Sequence, residues 1–309
     1  MKAITYPSHG GYEVIRIADR PVRTPDAGEV RIDVRAADVN PSDLMLRDPG
    51  YGNSTGPWIP GWDAAGIVES VGAGVERFRV GDRVMAIVSP IRAEGGAQIA
   101  QVTVSEKSVT AIPSALSFAQ ASTLPMNGLT ALLGLELAGL AKGQTLAVSG
   151  GAGHLAQLVI ALAKHQGLRV VADAKPAEKD LVASYGADVV VERGDGFCDA
   201  VRAAAPGGVD ALFDTALLLE ESFPAIRDGG VHLPVRGWGE TPSERGIVIK
   251  PVFVTAAVER TEWLELLREL AEQGRFQLRV AGEYPPEKVA DAQRAMAAGG
   301  LRGRAVIVF

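Results

Sequence analysis

The sequence predicts an α/β protein in which a strand-rich first part is followed by a doubly wound parallel sheet. Short apolar or alternating runs separated by turns fill residues 1–117, and strands alternate with helices over residues 118–258. A glycine-rich turn at residues 150–153 lies between an apolar strand and a helix with apolar residues at helical spacing. Together these observations favour two domains of different architecture.

The first part is predicted to form a compact, irregular β-barrel. Gly72, Gly74 and Gly81 mark corners between its strand candidates, a spacing that is typical of small barrels. The strands are predicted at residues 1–6, 14–18, 29–37, 66–71, 83–88 and 98–104.

The second part is predicted to be a parallel sheet with helices on both faces, because strands and helices follow one another repeatedly. A helix at residues 262–273, another at 287–298 and a strand at 305–309 end the chain, and we expect this segment to fold back onto the first domain. The predicted strands of the second part are 145–148, 169–172, 189–191, 211–214, 230–235 and 252–258; its helices are 118–123, 129–138, 155–165, 177–185, 197–204 and 220–226.

Composition excludes several classes of function. The 309 residues include 31 Lys and Arg against 37 Asp and Glu, and a net charge of −6 provides no basic surface for nucleic acid or an anionic membrane. No apolar run is long enough to span a bilayer, and the first residues are typical of a strand rather than of a signal peptide. The single cysteine, Cys198, is typical of a protein in the reducing cytoplasm.

The turn at residues 150–153 carries the most informative motif of the chain. Gly151-x-Gly153-x-x-Ala156 matches the fingerprint of dinucleotide-binding proteins. One glycine permits a tight turn, a second lets the backbone approach a pyrophosphate, and a small third residue lets the helix pack on the strand. The phosphates would bind the free N–H groups at the positive end of the helix. The alternative is a purely structural turn.

Several stretches, in order along nearly the whole chain, resemble a known family. They are residues 39–43, 59–68, 71–75, 78–84, 123–131, the glycine motif and residues 302–306. On these stretches the chain resembles the zinc-independent branch of the medium-chain dehydrogenase/reductase superfamily, specifically quinone oxidoreductase-like proteins. The resemblance implies a GroES-like catalytic domain at residues 1–117, completed by residues 259–309, and a Rossmann domain at residues 118–258. It also implies NADPH as cofactor, in the cleft between these domains.

The sequence differs from zinc-dependent relatives at the positions of the metal ligands. Those relatives have a cysteine at or near the position of Asn40, a histidine at the position of Trp62, and a lobe with four cysteines. With one cysteine and four isolated histidines, this chain has no ligand set with zinc spacing. We therefore predict that it binds no metal.

The fingerprint and the resemblance together indicate which residues bind the cofactor. His154, inside the motif, is interpreted as a solvent-facing or phosphate-neighbouring imidazole. Thr130 lies in a closely matching stretch, although its hydroxyl could instead bond within its own helix. After Thr215 the relatives have glycines, whereas this chain has the bulkier residues 216–219, close to the expected nicotinamide. The candidate cofactor-binding residues are Asn40, Thr130, Gly150, Gly151, Gly153, His154, Leu155, Lys175, Lys179 and Thr215.

The residues at the end of the second Rossmann strand favour NADPH over NADH as the cofactor. Enzymes that prefer NAD have an acid there, which bonds the ribose 2′-hydroxyl. Our alignment places Ala174 at this position, and the ammonium groups of Lys175 and Lys179, without a facing carboxylate, suit a 2′-phosphate. Asp173 should point away, since adjacent strand residues face opposite sides, unless the register is shifted by one. Alternatively, both lysines are solvated residues at a helix start.

Asn40 and Tyr51 are the candidate catalytic residues. The Asn40 amide could orient nicotinamide or substrate, and the Tyr51 phenol, in a loop that the resemblance places over the active cleft, could donate a proton. Each has an alternative: Asn40, which precedes Pro41, could cap a helix, and Tyr51 could be an ordinary surface residue.

The resulting hypothesis is NADPH-dependent, metal-free transfer of hydride to a small-molecule quinone or to the double bond of an enone or enal. One alternative is a non-catalytic NADPH-binding sensor or structural protein, which the bulky residues 216–219 favour. Another is a pathway-dedicated enoyl reductase with a specialised substrate. We expect a homodimer through an edge strand at residues 252–258, because an exposed apolar edge invites pairing.

Overall fold

The computed structural model describes residues 1–49, 56–239 and 243–309. The chain divides into two compact units. Unit 1 comprises residues 1–126, 258–274 and 278–309, and unit 2 comprises residues 127–257 and 275–277. Within the described ranges, no helix has both the length and the apolar character that crossing a membrane requires.

The strands and helices are numbered along the chain. The strands are β1 (Lys2–Thr5), β2 (Arg16–Asp19), β3 (Glu29–Asp38), β4 (Asp63–Val71), β5 (Arg83–Ile87), β6 (Gln101–Ser105), β7 (Val109–Ala111), β8 (Thr145–Ser149), β9 (Arg169–Ala174), β10 (Val189–Glu192), β11 (Val209–Asp214), β12 (Ile226–Pro234), β13 (Val248–Ile249), β14 (Val280–Tyr284) and β15 (Arg304–Val308). The helices are α1 (Pro41–Met45), α2 (Phe118–Ala121), α3 (Pro125–Ala138), α4 (His154–His165), α5 (Lys179–Ser184), α6 (Phe197–Ala204), α7 (Thr261–Glu272) and α8 (Val289–Ala297).

Strand β3 organises the mostly antiparallel sheet of unit 1. It pairs with β4, β6 and β15, and the sheet continues from β4 to β5 and β7 and from β15 to β14. Val30, Ile32 and Val34 alternate with charged residues along β3 and are buried in the core of the unit. This period of two is expected where one face of a sheet meets the core.

The end of the chain completes unit 1. Strand β15 pairs antiparallel with β3, and α8 packs beside it through buried side chains. The amide of Gln293, in α8, donates to the Tyr6 hydroxyl at 2.6 Å and accepts from Arg47 Nη2 at 3.0 Å. A buried polar network therefore joins the first and last segments of the chain, and each of its members has a partner, as burial requires.

Unit 2 contains a parallel sheet with the strand order β10-β9-β8-β11-β12-β13. The chain runs from β8 outward through β9 and β10, and then returns to the other side of β8 with β11. The direction of winding therefore reverses between β8 and β11. In open α/β sheets, the crevice at the carboxyl end of such a reversal is where ligands bind.

The predicted edge strand at residues 252–258 is wrong. The edge strand of the sheet is the two-residue β13, and Val254–Ala257 form a short 3-10 helix. Pro251 has no N–H to donate to a ladder. The backbone N–H of Val252 still donates to the Pro234 carbonyl at 2.9 Å, after which the chain turns and leaves Phe253 66% exposed.

Replacing Gly134 by alanine should destabilise unit 2. Alanine normally stabilises a helix by about 1 kcal/mol relative to glycine. Here the new Cβ atom would overlap the buried ring of Phe213, and overpacking a core costs roughly 1–3 kcal/mol. We therefore expect a lower free energy of unfolding for Gly134→Ala in urea titrations. Gly196→Ala is the matched control, because no atom lies within 4 Å of its added Cβ; equal stability of the two variants would contradict this packing.

Candidate functional site

The loops that follow β8 and β11 are joined at the carboxyl edge of the parallel sheet. The Ser149 hydroxyl donates to Asp214 Oδ1 at 2.6 Å and accepts the backbone N–H of Ala216 at 3.1 Å. The Thr215 hydroxyl donates to the Ser149 carbonyl at 2.6 Å. These bonds hold the two loops at the point where the winding of the sheet reverses.

Each glycine of the turn after β8 meets a different steric requirement. Gly150 has a φ of 73°, in the left-handed region that favours glycine. A Cβ on Gly151 would overlap the Asp173 carbonyl, so this glycine lets the turn pack closely on β9. A Cβ on Gly153 would meet only the Gly150 carbonyl, at 3.0 Å, which leaves room for a ligand to approach the backbone.

The N-terminus of α4 fits the diphosphate of a dinucleotide. Gly153 occupies the N-cap and makes no side-chain cap. The N–H groups in the first turn of a helix have no acceptor within the helix, and among them are those of Leu155 and Ala156. The helix dipole adds positive potential at the same place. This turn therefore provides an anion site of the kind that phosphates occupy.

The other predicted cofactor residues of unit 2 are placed as follows. The Thr215 hydroxyl lies against Gly150, at 2.7 Å from the position that a Cβ would take. Thr130 is buried within α3. His154 is only 6% exposed, so the solvent-facing interpretation of its imidazole is wrong; its position as first residue of α4 directs the side chain inward.

The assignment of Ala174 to the diagnostic acid position is wrong, as is the expectation that Asp173 points away. Ala174 is fully buried, whereas Asp173 Oδ1 accepts the Gly151 N–H at 2.8 Å. Because side chains alternate along a strand, a register error of one residue exchanges the two faces. The acid at the end of β9 therefore faces the glycine turn.

The expectation of two ammonium groups without a facing carboxylate is also wrong. Lys179 Nζ lies 3.7 Å from Glu192 Oε2, in an exposed ion pair, and Lys175 is exposed. Arg193, which we did not select from the sequence, pairs with Asp173 through Nε at 2.7 Å. The parallel pairing of β10 with β9 could have indicated it, since residues that follow adjacent parallel strands meet at the same edge.

The loop after Thr215 contains two leucines with positive φ, Leu217 at 63° and Leu219 at 52°. This conformation costs a side-chain-bearing residue roughly 1–2 kcal/mol. The Asp214 carboxylate holds the loop by accepting the N–H groups of Leu218 at 3.1 Å and Leu219 at 2.8 Å. Burial raises the pKa of Asp214, but the neighbouring His232, at 3.7 Å, and the hydrogen bonds from Ser149 and these amides outweigh it and lower the pKa below its usual value. The carboxylate is therefore ionised at neutral pH.

Asn40, the predicted catalytic residue of unit 1, belongs to a fully buried cluster of acids. Its side-chain amide donates to Asp38 Oδ1 at 2.6 Å and to Asp63 Oδ2 at 3.2 Å. Its backbone N–H donates to Asp43 Oδ2 at 2.8 Å, in the first turn of α1. Asn40 is the N-cap of α1, which supports the capping interpretation that the sequence left open.

Burial makes the acids of this cluster hold their protons. Desolvation raises the pKa of Asp43 and that of Asp63 from 3.8 to about 7. It also raises the pKa of Asp38 well above its usual value, and the neighbouring Asp63 charge adds to the effect. Arg304 Nε, 3.7 Å from Asp38 Oδ2, opposes this with its positive charge. A proton therefore remains in the cluster at neutral pH.

The residues of unit 1 do not fit a catalytic zinc ion. The three carboxylates accept hydrogen bonds from the protein itself, and Trp62, at the position of the histidine ligand of zinc-dependent relatives, is buried. Among residues 1–49, 56–239 and 243–309, no group of three or more acidic, histidine or cysteine side chains is arranged to hold a metal. Tyr51, the other predicted catalytic residue, lies outside the described residues.

Comparison with known proteins agrees with this architecture. Residues 26–114 match the family model of the alcohol dehydrogenase GroES-like domain, and residues 185–307 match that of the zinc-binding dehydrogenases. The chain is 32% identical to 2-methylene-furan-3-one reductase of Solanum lycopersicum, over 99% of this chain and 79% of that one. It is 31% identical, with the same coverage, to NADPH-dependent alkenal/one oxidoreductase of Arabidopsis thaliana. An alcohol dehydrogenase superfamily protein from Novosphingobium aromaticivorans superposes with a TM-score of 0.88 at 27% identity, covering 100% and 99% of the two chains.

The fold and the glycine turn define an oxidoreductase with a nicotinamide cofactor. The chain belongs to the medium-chain dehydrogenase/reductase family, with the quinone and alkenal oxidoreductases as its relatives. The predicted fold class, a GroES-like domain with a Rossmann domain, is confirmed.

The raised pKa values in unit 1 predict how its stability depends on pH. Since the folded chain keeps protons that the unfolded chain releases near pH 3.8, the stabilisation is complete below that pH and is lost as the pH rises through about 7. Asp38→Asn removes a carboxyl whose pKa is raised well above its usual value by burial, and with it the cost of keeping that carboxyl protonated at a pH where the unfolded chain ionises it. We expect Asp38→Asn to raise the unfolding temperature relative to wild type at about pH 8 more than at about pH 4.

Asp19→Asn, at an exposed position in β2 of the same unit, is the control for this experiment. Its difference from wild type should be nearly the same at both pH values. A pH-independent effect of Asp38→Asn would contradict a raised pKa for Asp38.

Proposed function

We propose that the chain is an NADPH-dependent reductase that transfers hydride, without a metal, to a quinone or to the activated double bond of an enone or enal. The proposal rests on the glycine turn after β8. This turn lies where the winding of the sheet reverses and leads directly into α4, whose N-terminus has no side-chain cap. This arrangement supports a site for the diphosphate, from which the rest of a dinucleotide extends along the carboxyl edge of the sheet.

The relatives support the substrate class and the cofactor. One is named a 2-methylene-furan-3-one reductase and another an NADPH-dependent alkenal/one oxidoreductase. Both names describe conjugated carbonyl compounds, whose electron-poor carbon is a suitable hydride acceptor. The charges at this edge of the sheet do not by themselves favour NADPH over NADH. Three positive side chains lie there, those of Lys175, Lys179 and Arg193. Two negative ones, those of Asp173 and Glu192, lie at the same edge.

We assign the following roles to the residues of the chain. The backbone of Gly153, Leu155 and Ala156 binds the diphosphate, and Thr215 keeps the loop after β11 against the glycine turn. Bound nicotinamide supplies the hydride. Without zinc, charge that develops on the substrate oxygen must be met by hydrogen-bond donors, and we propose the Tyr51 phenol or water as the proton donor. Asn40, whose amide is occupied by two carboxylates, is a positioning residue in this scheme.

The proposal is tested by mixing the protein with NADPH and a panel of quinones, enones, enals and a 2-enoyl thioester. We expect loss of the reduced nicotinamide absorbance with at least one class of compound. Gly153→Val should abolish both NADPH binding and turnover, because its side chain would occupy the space in front of α4. Gly196→Val, at the open N-cap of α6, is the matched control and should change neither.

The alternatives predict different outcomes of the same experiment. Tight NADPH binding without turnover on any compound would contradict a reductase and favour a non-catalytic sensor or structural protein. The strained loop at Leu217 and Leu219, which follows the Thr215 contact to the glycine turn, is the observation that favours this second function. Turnover of the thioester alone would favour a pathway-dedicated enoyl reductase.

We also propose a homodimer in the cytoplasm. The predicted strand at residues 252–258 is absent, but β13 provides an edge beside exposed apolar side chains, with Val248 47% and Phe253 66% exposed. An unpaired apolar edge favours association with a second copy. The cytoplasmic location rests on the single cysteine, which is typical of a reducing compartment.

Sedimentation equilibrium tests the dimer. We expect a mass near twice 32.3 kDa for the wild type and a shift toward the monomer for Phe253→Asp. Val80→Asp is the matched control, because Val80 is 67% exposed but lies in unit 1. A wild-type mass near 32.3 kDa would refute the dimer.

A further inference from the structure

A cavity of about 490 Å³ lies in unit 1, between the loop at residues 90–96, the segment that follows β2, and strand β6. Cavities of roughly 300–1,000 Å³ are of the size that small-molecule ligands occupy. The described residues that line it all belong to unit 1, and they include neither Asn40 nor any of the acids around it. The cavity is therefore not part of the site that we assign to the dinucleotide.

Much of the cavity wall is apolar. Ile59, Ile99 and Val102 are buried side chains of this wall, and Ile91, which is 50% exposed, lies where the wall meets solvent. All four are β-branched, so they have few side-chain conformations to lose when a ligand is bound. The wall thus provides a surface from which the hydrocarbon part of a ligand can exclude water.

Arg20 lines the cavity with a guanidinium that has no partner within the described ranges. The side chain is half-buried, and its Nε atom is buried without a hydrogen-bond acceptor. The backbone N–H of Arg20 donates to the Met1 carbonyl at 2.8 Å, which fixes the residue beside the cavity. A buried charged donor without an acceptor is costly, and an anion in the cavity can supply that acceptor.

Arg92 is a second guanidinium of the same lining, and it is held by backbone carbonyls. Its Nε donates to the Gly95 carbonyl and its Nη1 to the Thr103 carbonyl, both at 2.7 Å. These bonds orient the planar group, and Nη2 has no acceptor among the residues that the structure describes. Burial lowers the pKa of Arg92, and the attraction of Glu94 does not fully oppose this effect.

The charges of the lining favour an anion with a single charge. Its charged side chains, among the described residues, are those of Arg20, Arg23, Arg92 and Glu94. Arg23 is already neutralised, because its Nη1 and Nη2 donate to the two carboxylate oxygens of Glu29, each at 2.7 Å. Two positive charges therefore face the one negative charge of Glu94, although the protein as a whole has a net charge of −6.

We propose that this cavity binds a monocarboxylate with a hydrocarbon chain. The carboxylate accepts hydrogen bonds from Arg20 and Arg92, since a guanidinium matches the geometry of a carboxylate. The chain lies against Ile59, Ile99 and Val102. Binding requires neither a nucleotide nor a metal, so this site does not depend on the proposed reductase activity.

The test is to measure dissociation constants by calorimetry at neutral pH for octanoate, 1-octanol, octylammonium and inorganic phosphate. We expect octanoate to bind about tenfold or more tightly than each of the others, the difference that a charged hydrogen bond makes. The alcohol lacks the charge, the ammonium ion has the wrong sign, and phosphate lacks the chain.

Arg20→Gln should weaken the binding of octanoate about tenfold or more and change that of 1-octanol less than about twofold. The unfolding temperature should not fall, because the Arg20 side chain holds no other described residue; a purely structural role would lower it. Arg79→Gln is the matched control, since Arg79 is exposed in the same unit and does not line the cavity. It should leave all four constants unchanged.

Two exposed positions of the lining give variants that keep the test decisive if Arg20→Gln does not fold. Glu94→Gln should tighten octanoate about twofold or more, because it removes a repelling charge. Ile91→Asp should weaken octanoate, because it adds a negative charge at the cavity. Val80→Asp, at an exposed position outside the lining, should have no effect.

The outcomes that would overturn the proposal are distinct. Octanoate that binds no tighter than 1-octanol, or that Arg20→Gln does not weaken, would refute the role of the guanidinium groups. Phosphate that binds as tightly as octanoate would show a site for simple anions and refute the hydrocarbon chain. A wild type that binds none of the four compounds would refute the site itself and leave the dinucleotide proposal unaffected.

Discussion

The hydrogen bond between Ser149 and Asp214 supports the whole carboxyl edge of unit 2. It joins the last residues of the two strands between which the winding reverses, and both side chains are fully buried. Since Ser149 also accepts from Ala216, and Asp214 accepts from two further amides, the loops after β8 and β11 cannot move independently. The glycine turn then needs few further hydrogen bonds, because the residues next to it are already fixed by these bonds. A charge buried in this way is stable only when fully hydrogen-bonded, and Asp214 is.

The conformation of the loop after β11 is also determined by the hydrogen bonds that Asp214 accepts. Asp214 can accept the amides of Leu218 and Leu219 only if the chain turns sharply, and the turn places two leucines in the left-handed region. Glycine would adopt this conformation at lower cost. Strain that persists beside a binding site is maintained by the surrounding bonds.

Unit 1 shows how a dehydrogenase fold accommodates a cluster of buried acids. Asp38, Asp43 and Asp63 lie around Asn40, and burial raises the pKa of each carboxyl. The side-chain amide of Asn40 donates to two of these carboxyls, Asp38 and Asp63. The same residue is the N-cap of α1, where its backbone N–H donates to Asp43, so the start of the helix and the polar cluster meet at one residue.

The local sequence determined many of the helices and strands and the glycine turn after β8. Residues 197–204 form the predicted helix without change, and the glycines at 150–153 form the predicted turn, because periodicity and glycine conformations are local properties. The predictions from the sequence were wrong where they depended on the exact position of one residue in a strand. It misplaced Asp173, and it assigned a strand to residues 252–258, where proline ends the ladder.

Only the tertiary structure paired Asp173 with Arg193 and gathered three acids around Asn40. Asp173 and Arg193 are brought together by the pairing of β9 with β10, and Asp63 reaches Asn40 from another strand. The sequence by itself therefore determined the family, the fold class and the glycine turn. The partners and charges of the site residues were decided by contacts between distant segments, whose geometry no local pattern records.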